Sequence, residues 1–418
     1  MTSGKAVSMV LQADIVRLRE DFPALHQMVN GHPLVYLDNA ATTHKPRQVL
    51  DTLMQCYTGH YSNIHRGVHY LSRQATEAYE QVRVKVRDFI HARSENEIIF
   101  TRGTTESINL VASAFGNAFV REGDEILISA MEHHSNIVPW QLLCERKKAR
   151  LKIIPMNQQG ELLIDQLENL INEKTRLVSV VHISNSLGTV NPIREIISMA
   201  HQHQVPVLID AAQSVLHEQV NVLEWDCDFL AFSSHKMFGP TGAGVLYGKM
   251  EWLSQLPPYQ GGGDMIQSVS FERTTYQDPP YRFEAGTQSI ADVIALGAAI
   301  DYLNALDLIA LRQYEQELLE YASRRLSQLE GVKLIGTARQ KAPVLSFIVE
   351  GIHPLDMGMY LDTQGIAVRT GHHCTEPVMK FFGLEGTLRA SLLFYNTYEE
   401  IDRLVNAMKK GISLLRPV

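Results

Sequence analysis

The run Val205-Pro206-Val207-Leu208-Ile209-Asp210 carries the reading of the fold. Its apolar residues do not alternate with polar ones. A strand of this kind is covered on both faces, as in a parallel sheet packed between helices. Similar runs recur at Glu97-Ile98-Ile99-Phe100, Glu125-Ile126-Leu127-Ile128, Leu151-Lys152-Ile153-Ile154, residues 176–182, Asp228-Phe229-Leu230-Ala231-Phe232 and Gly244-Val245-Leu246-Tyr247. Helical patterns lie between them, for example over residues 108–119 and 194–203. This alternation predicts an α/β fold with a mostly parallel, seven-stranded sheet. Beyond Ala285-Gly286-Thr287 the texture changes. Residues 292–305 and 311–329 read as long amphipathic helices, followed by Val344-Leu345-Ser346-Phe347-Ile348, a strand at Val368 and a closing helix over 398–415. The expected division is a large domain over 36–300 and a smaller α+β domain from 1–35 and 301–418.

With 418 residues, 45% of them hydrophobic, the chain can bury a large core. Lys and Arg total 38 against 46 Asp and Glu, a net charge of −8, which argues against a dominant nucleic-acid or membrane-surface role. Cys56, Cys144, Cys227 and Cys374 are far apart and form no CxxC pair, so neither a disulfide framework nor a zinc site is expected. Residues 1–20 hold no long apolar run, and no later stretch of about twenty apolar residues suggests a membrane span. The expectation is a cytoplasmic protein with reduced thiols.

Parallel sheets gather their chemistry at the carboxyl ends of strands. Asp210 ends one strand; Lys236, in Ser233-Ser234-His235-Lys236, follows another. Alone, the first reads as a turn residue and the second as a surface lysine. Together they meet the two needs of pyridoxal phosphate (PLP): an amine to form an imine with the aldehyde, and a carboxylate to keep the pyridine nitrogen protonated. Thr101-Arg102-Gly103-Thr104-Thr105-Glu106 links a strand to a helix, where a tight glycine turn, two hydroxyls and free N–H groups suit a phosphate. Ordinary helix capping by Thr104 or Thr105 is the plainer alternative. Ser233 and His235 flank the lysine and reach toward the same phosphate. Gly239-Pro240-Thr241-Gly242-Ala243-Gly244 lacks the lysine of a P-loop and precedes a strand, so it reads as a structural turn.

In Met131-Glu132-His133-His134 an imidazole can stack on a flat ring; the three ionisable residues are consecutive rather than on one helical face, which argues against zinc. The most unusual segment is Val368-Arg369-Thr370-Gly371-His372-His373-Cys374. Its cysteine sits in a polar loop, with Arg369 and Arg389 near in sequence, a setting that favours a reactive thiolate. Arg389 can fork onto a substrate carboxylate or bridge domains as a salt bridge.

The set formed by Tyr36-Leu37-Asp38, His65-Arg66-Gly67-Val68-His69, Arg102 to Glu106, Met131 to His134, Asp210-Ala211-Ala212-Gln213, Ser233 to Lys236, Phe283-Glu284-Ala285-Gly286-Thr287 and Arg369 to Cys374 resembles the SUF-type, second-group cysteine desulfurases. These are fold-type-I PLP enzymes grouped with selenocysteine lyases. The resemblance runs from Asp21-Phe22-Pro23 nearly to the end. It implies that Lys236 binds the cofactor and later moves protons, Asp210 pairs with the pyridinium, Gln213 meets the ring hydroxyl and His133 stacks on the ring. It gives the phosphate to Thr105, Ser233 and His235, with Thr104 beside them and Thr287 contributed by the other subunit of a homodimer. Asn185 and Arg389 would bind the substrate carboxylate, with Arg369 and His65 at the substrate end, and Cys374 would be the nucleophile. The implied reaction takes L-cysteine to L-alanine and a Cys374 persulfide, passed to a small sulfur-acceptor protein for iron–sulfur cluster assembly. Rival readings are selenocysteine lyase activity on L-selenocysteine and a non-catalytic sulfur-transfer scaffold. Three departures from the usual pattern are Thr375 for alanine, Ser234 for glycine and Gln288-Ser289 for Pro-Asn.

Overall fold

The computed structural model describes residues 14–416; the first thirteen residues, part of the expected small domain, lie outside it. Seven strands form the main sheet: β1 (Ile98–Thr101), β2 (Glu125–Ser129), β3 (Arg150–Ile154), β4 (Thr175–Val181), β5 (Val207–Asp210), β6 (Phe229–Ser233) and β7 (Gly244–Gly248), in the spatial order β1-β7-β6-β5-β4-β2-β3. All pairings are parallel except those of β7, which runs antiparallel to both β1 and β6. The seven expected strands are all present. The run at Val205 enters its strand two residues later than its apolar content suggests, because Val205 and Pro206 form the approach from the preceding helix.

Alternate residues of each strand enter different cores. Val207, Ile209, Leu230, Phe232 and Val178 pack on one face, while Leu208, Phe229, Ala231, Leu177 and Ile126 pack on the other. This is the period of two expected of a pleated strand, with both faces apolar because helices cover both. Helices α1 (Arg47–Gln55), α2 (Tyr70–Phe89) and α3 (Thr104–Phe119) belong to this unit, and α4 (Ile290–Asn304) packs against α1 and α2. Helix α4 runs through position 300 without a break.

A second, wholly antiparallel sheet follows α5 (Leu308–Ser327): β8 (Val332–Ile335), β9 (Val344–Val349), β10 (Arg369–Gly371) and β11 (Thr387–Ser391), in the order β8-β9-β11-β10. Residues Val35–Tyr36 pair in parallel with Ile366–Ala367, so the chain before the large sheet is joined to this later unit. The closing helix α6 spans Tyr398–Leu415 and opens on a capping box formed by Thr397 and Glu400. Among the described residues no single helix is long and apolar enough to cross a bilayer.

Candidate active site

The carboxyl ends of β2, β4, β5 and β6 converge on a cavity of about 230 Å³. Asp210 is the last residue of β5, and its Oδ1 accepts the Ala212 N–H at 2.9 Å. Burial raises its carboxyl above the ordinary value, against the pull of the Lys236 charge. Lys236 ends the short turn that follows β6; it lies deep in the molecule yet lines the cavity. Burial lowers its ammonium to about 8, with Asp210 opposing the shift and Arg389 adding to it. A lysine so placed has free amine available near neutral pH.

Helix α3 begins at Thr104 with Gly103 as its N-cap and no side-chain cap, so the two threonines are not capping residues. The Thr104 N–H donates to Ser233 Oγ at 2.8 Å, and the Thr104 and Ser233 hydroxyls meet at 2.7 Å. Thr105 Oγ1 lies 2.7 Å from Ser135 Oγ. Thr104, Thr105, Ser233 and His235 all line the cavity. Gly244 must lack a side chain here, since a Cβ would stand 2.3 Å from the Cα of Gly103. A helix N-terminus with three hydroxyls suits a phosphate. Burial and the neighbouring Lys236 keep His235 uncharged, at about 4. At the opposite side Gln213 also lines the cavity, its Nε2 donating to Ala40 O at 2.7 Å.

His133 lines the same cavity, and its Nδ1 accepts the Ser135 N–H at 3.0 Å. Burial first, then Lys236, lower its imidazole to about 3, so the ring is neutral with its proton on Nε2. Its two neighbours point elsewhere. Glu132 is fully buried and accepts from Ser129, from Asn136 Nδ2 at 2.6 Å and from the Val181 N–H at 2.9 Å. His134 turns toward the cysteine loop. Three consecutive ionisable groups thus serve three separate places, and among the described residues no three His, Cys, Asp or Glu side chains are grouped to hold a metal.

The second sheet closes the cavity. Arg369 of β10 and Arg389 of β11 are directly opposite in register, and like charges so placed repel. Asp38 compensates both: its carboxylate accepts Arg369 Nη2 at 3.0 Å and Arg389 Nη2 at 2.9 Å. Arg389 is only 2% exposed; it also donates to Asn185 O at 2.9 Å, and its Nε has no protein partner. Asn185 Nδ2 donates to His373 O at 2.8 Å, while its buried Oδ1 is unpartnered. An unpaired guanidinium N–H and an unpaired amide oxygen thus stand beside one cavity. Arg389 is therefore both the domain-bridging ion pair and a cavity wall.

Cys374 lines the cavity and is exposed, whereas Cys56, Cys144 and Cys227 are buried. Thr375 is buried, and its hydroxyl donates to His372 O at 2.9 Å, which pins the loop. Ser234 has its hydroxyl buried without a partner under Gly239.

Two expected residues are not brought here within the chain. His65 lies 2.9 Å from Glu80 and meets Tyr79 and Tyr281 edge-on. Thr287 lines a separate cavity of about 560 Å³ with Glu106, Tyr259 and Gln288. Conversely, Asp38 was legible only as part of a quoted motif, and its role as shared counter-ion had no local signal.

The aminotransferase class-V family model matches residues 35–404. The chain belongs to this family. It has the PLP fold type I, and the cofactor of the family is pyridoxal 5′-phosphate. The cysteine desulfurase of Synechococcus elongatus is 51% identical over 397 residues, covering 95% of this chain and 63% of that protein. The chain thus spans less than two thirds of that relative. A cysteine desulfurase of Escherichia coli O8 is 50% identical over 400 residues, covering 96% of this chain and 98% of that protein. The solved structure of the Escherichia coli cysteine desulfurase CsdA, in an S-sulfonic acid form, superposes with a TM-score of 0.90 at 38% identity, covering 96% and 99% of the two chains. The residues present fit the family cofactor: a buried lysine and acid face one cavity, with a hydroxyl cradle at a helix N-terminus.

Proposed function

We propose that the protein is a cysteine desulfurase that converts L-cysteine to L-alanine and leaves the sulfur on Cys374. The observation that carries this reading is that Lys236, Asp210 and the exposed Cys374 line one cavity. Lys236 would hold the cofactor, with Asp210 at the pyridine nitrogen, Gln213 at the ring hydroxyl, His133 on the ring face, and Thr104, Thr105, Ser233 and His235 at the phosphate. When bound, PLP supplies an electron sink that weakens the substrate's Cα–H and Cβ–S bonds.

The residues then divide the work. Arg389 holds the substrate carboxylate through the Nε–H that lacks a protein partner, and Asn185 through the second N–H of the Nδ2 that also donates to His373 O, with Arg369 beside them. The Lys236 amine, freed by substrate and with its basicity lowered, takes the Cα proton and returns protons later. The neutral His133 ring excludes water from one face and holds a proton at Nε2. Cys374 attacks as a thiolate on the substrate sulfur. An S–S bond forms, the substrate Cβ–S bond breaks, and the electron pair left on Cβ takes a proton to give alanine. The sum is Cys374–SH plus L-cysteine giving Cys374–S–SH plus L-alanine, with no external oxidant.

Exposure of Cys374 supports onward transfer of the persulfide to a small sulfur-acceptor protein of the SUF type, and hence a place in iron–sulfur cluster assembly. Thr287 lies away from its own chain's cavity, which supports a homodimer in which a partner supplies it. The test is mass spectrometry after L-cysteine treatment. The expected result is a gain of one sulfur on the Cys374 peptide in the wild type, absent in Cys374→Ala, with cysteine turnover lost. Turnover surviving in Cys374→Ala overturns the nucleophile assignment. Efficient turnover of L-selenocysteine but not L-cysteine by the wild type would make selenocysteine lyase the activity.

A further inference from the structure

The loop that carries Cys374 adopts a conformation it does not favour. His373 and Cys374 have φ of +53° and +56°, both left-handed. A residue with a Cβ disfavours this conformation, so the loop needs ties to hold it. On the side before the cysteine the ties are Asn185, bonded to His373 O, and Thr375, whose N–H and hydroxyl return to His372 O at 2.8 and 2.9 Å. At the cysteine itself and two residues beyond it, two further ties come from one residue. His134 donates its backbone N–H to Cys374 O at 2.7 Å, and its Nε2 accepts the Glu376 N–H at 3.1 Å. Glu376 opens the short helix Glu376–Phe382 that follows the loop. His134 therefore grips the chain at the cysteine and two residues beyond it. The residue before it is His133, which lines the cavity together with Lys236.

We propose that His134 is a positioning residue for sulfur transfer: its imidazole and its backbone N–H together set where the Cys374 thiol stands relative to the Lys236 side of the cavity. An imidazole that accepts a backbone N–H at Nε2 carries its proton on Nδ1. The ring is not among the residues that line the cavity and acts through the loop. The inference rests on Cys374 being the nucleophile.

The test compares the wild-type holoenzyme with His134→Ala and His134→Gln, whose side-chain oxygen reaches toward the place of Nε2. Three quantities are read: the change in cofactor absorbance on adding L-cysteine, the single-turnover rate of sulfur gain on Cys374 by mass, and the rate of Cys374 alkylation by iodoacetamide without substrate. In His134→Ala the absorbance change stays within about twofold, while sulfur gain slows on the order of a hundredfold, as ångström-scale misplacement of a reacting group does. His134→Gln recovers at least about tenfold of that loss, and alkylation changes in His134→Ala but is near normal in His134→Gln. Unchanged sulfur gain in His134→Ala, an equal fall in absorbance change and sulfur gain, or a glutamine variant no better than alanine would each overturn the proposal. Should His134→Ala not fold, His134→Asn, whose oxygen falls short of Glu376, takes its place. A wild type that gains no sulfur on Cys374 overturns the desulfurase reading instead, and alkylation alone then decides whether His134 orders the loop.

Discussion

At the scale of single residues, Lys236 is the group whose environment does most. An ordinary lysine amine is protonated up to about 10.5; burial brings this one down to about 8. The free-base fraction of Lys236 therefore rises about tenfold per unit below pH 8 and levels off above it. The rate at which cofactor-free protein binds added PLP should follow the same curve. Stopped-flow absorbance from pH 6 to 10 checks this; a rate still climbing through pH 10 would contradict it. Asp210, Ser233 and Lys236 were legible because each stands at or just past the end of a readable strand, whereas Arg389 and Cys374 were legible through the resemblance. The hidden residue acts at long range. Asp38 compensates two arginines more than 300 positions away, a relation that no local pattern carries.

At the scale of elements, β1 is one of the two edges of the main sheet, with β3 the other, and edges invite unwanted pairing. The β1 edge is closed by a buried ion pair. Glu284 Oε1 accepts the Phe100 N–H at 2.7 Å, Arg83 Nη1 donates to Ile98 O at 2.8 Å, and the two side chains meet at 2.7 Å. Arg83 also lies over the Phe100 ring at 4.6 Å. Glu284 thus earns its place in the quoted motif by structure. Glu284→Ala leaves the Arg83 charge buried with less compensation, and the expected loss is about 3–5 kcal/mol, read by urea unfolding. A loss under 1 kcal/mol would show that Glu80, at 2.9 Å from Arg83, suffices alone. Main-sheet strands were readable because both faces are apolar. Three later elements were not. β8 is a four-residue run broken by Lys333, β11 buries Arg389 at its centre, and the helix Pro354–Thr363 exposes Leu355 and Met359, which blurs its apolar stripe.

At the scale of the whole molecule, Met54, Tyr57, Tyr61, Val68, Tyr70 and Leu71 are all exposed within one short stretch, and Tyr57 stacks on Tyr61 at 5.1 Å. Exposed apolar and aromatic side chains this frequent in one stretch point to an interaction face. With Thr287 outside its own cavity, a second copy is the occupant expected. The double variant Tyr57→Asp, Tyr70→Asp should sediment as a monomer and, on the proposal that a second copy's Thr287 holds the phosphate, retain PLP about tenfold less tightly. A variant that stays dimeric, or a monomer that keeps the cofactor fully, would count against the shared site.

The reversed strand β7 has a consequence for engineering. Ser233 and Gly244 are neighbours on adjacent strands, so the stretch between them, Lys236 included, leaves and re-enters the scaffold at a single rung. Such a segment is a cassette with abutting ends. Its ends impose no respacing, but Phe238 within it packs on Phe22, Tyr302, Phe394 and Tyr395, so a segment exchanged from a related enzyme must also match that aromatic cluster.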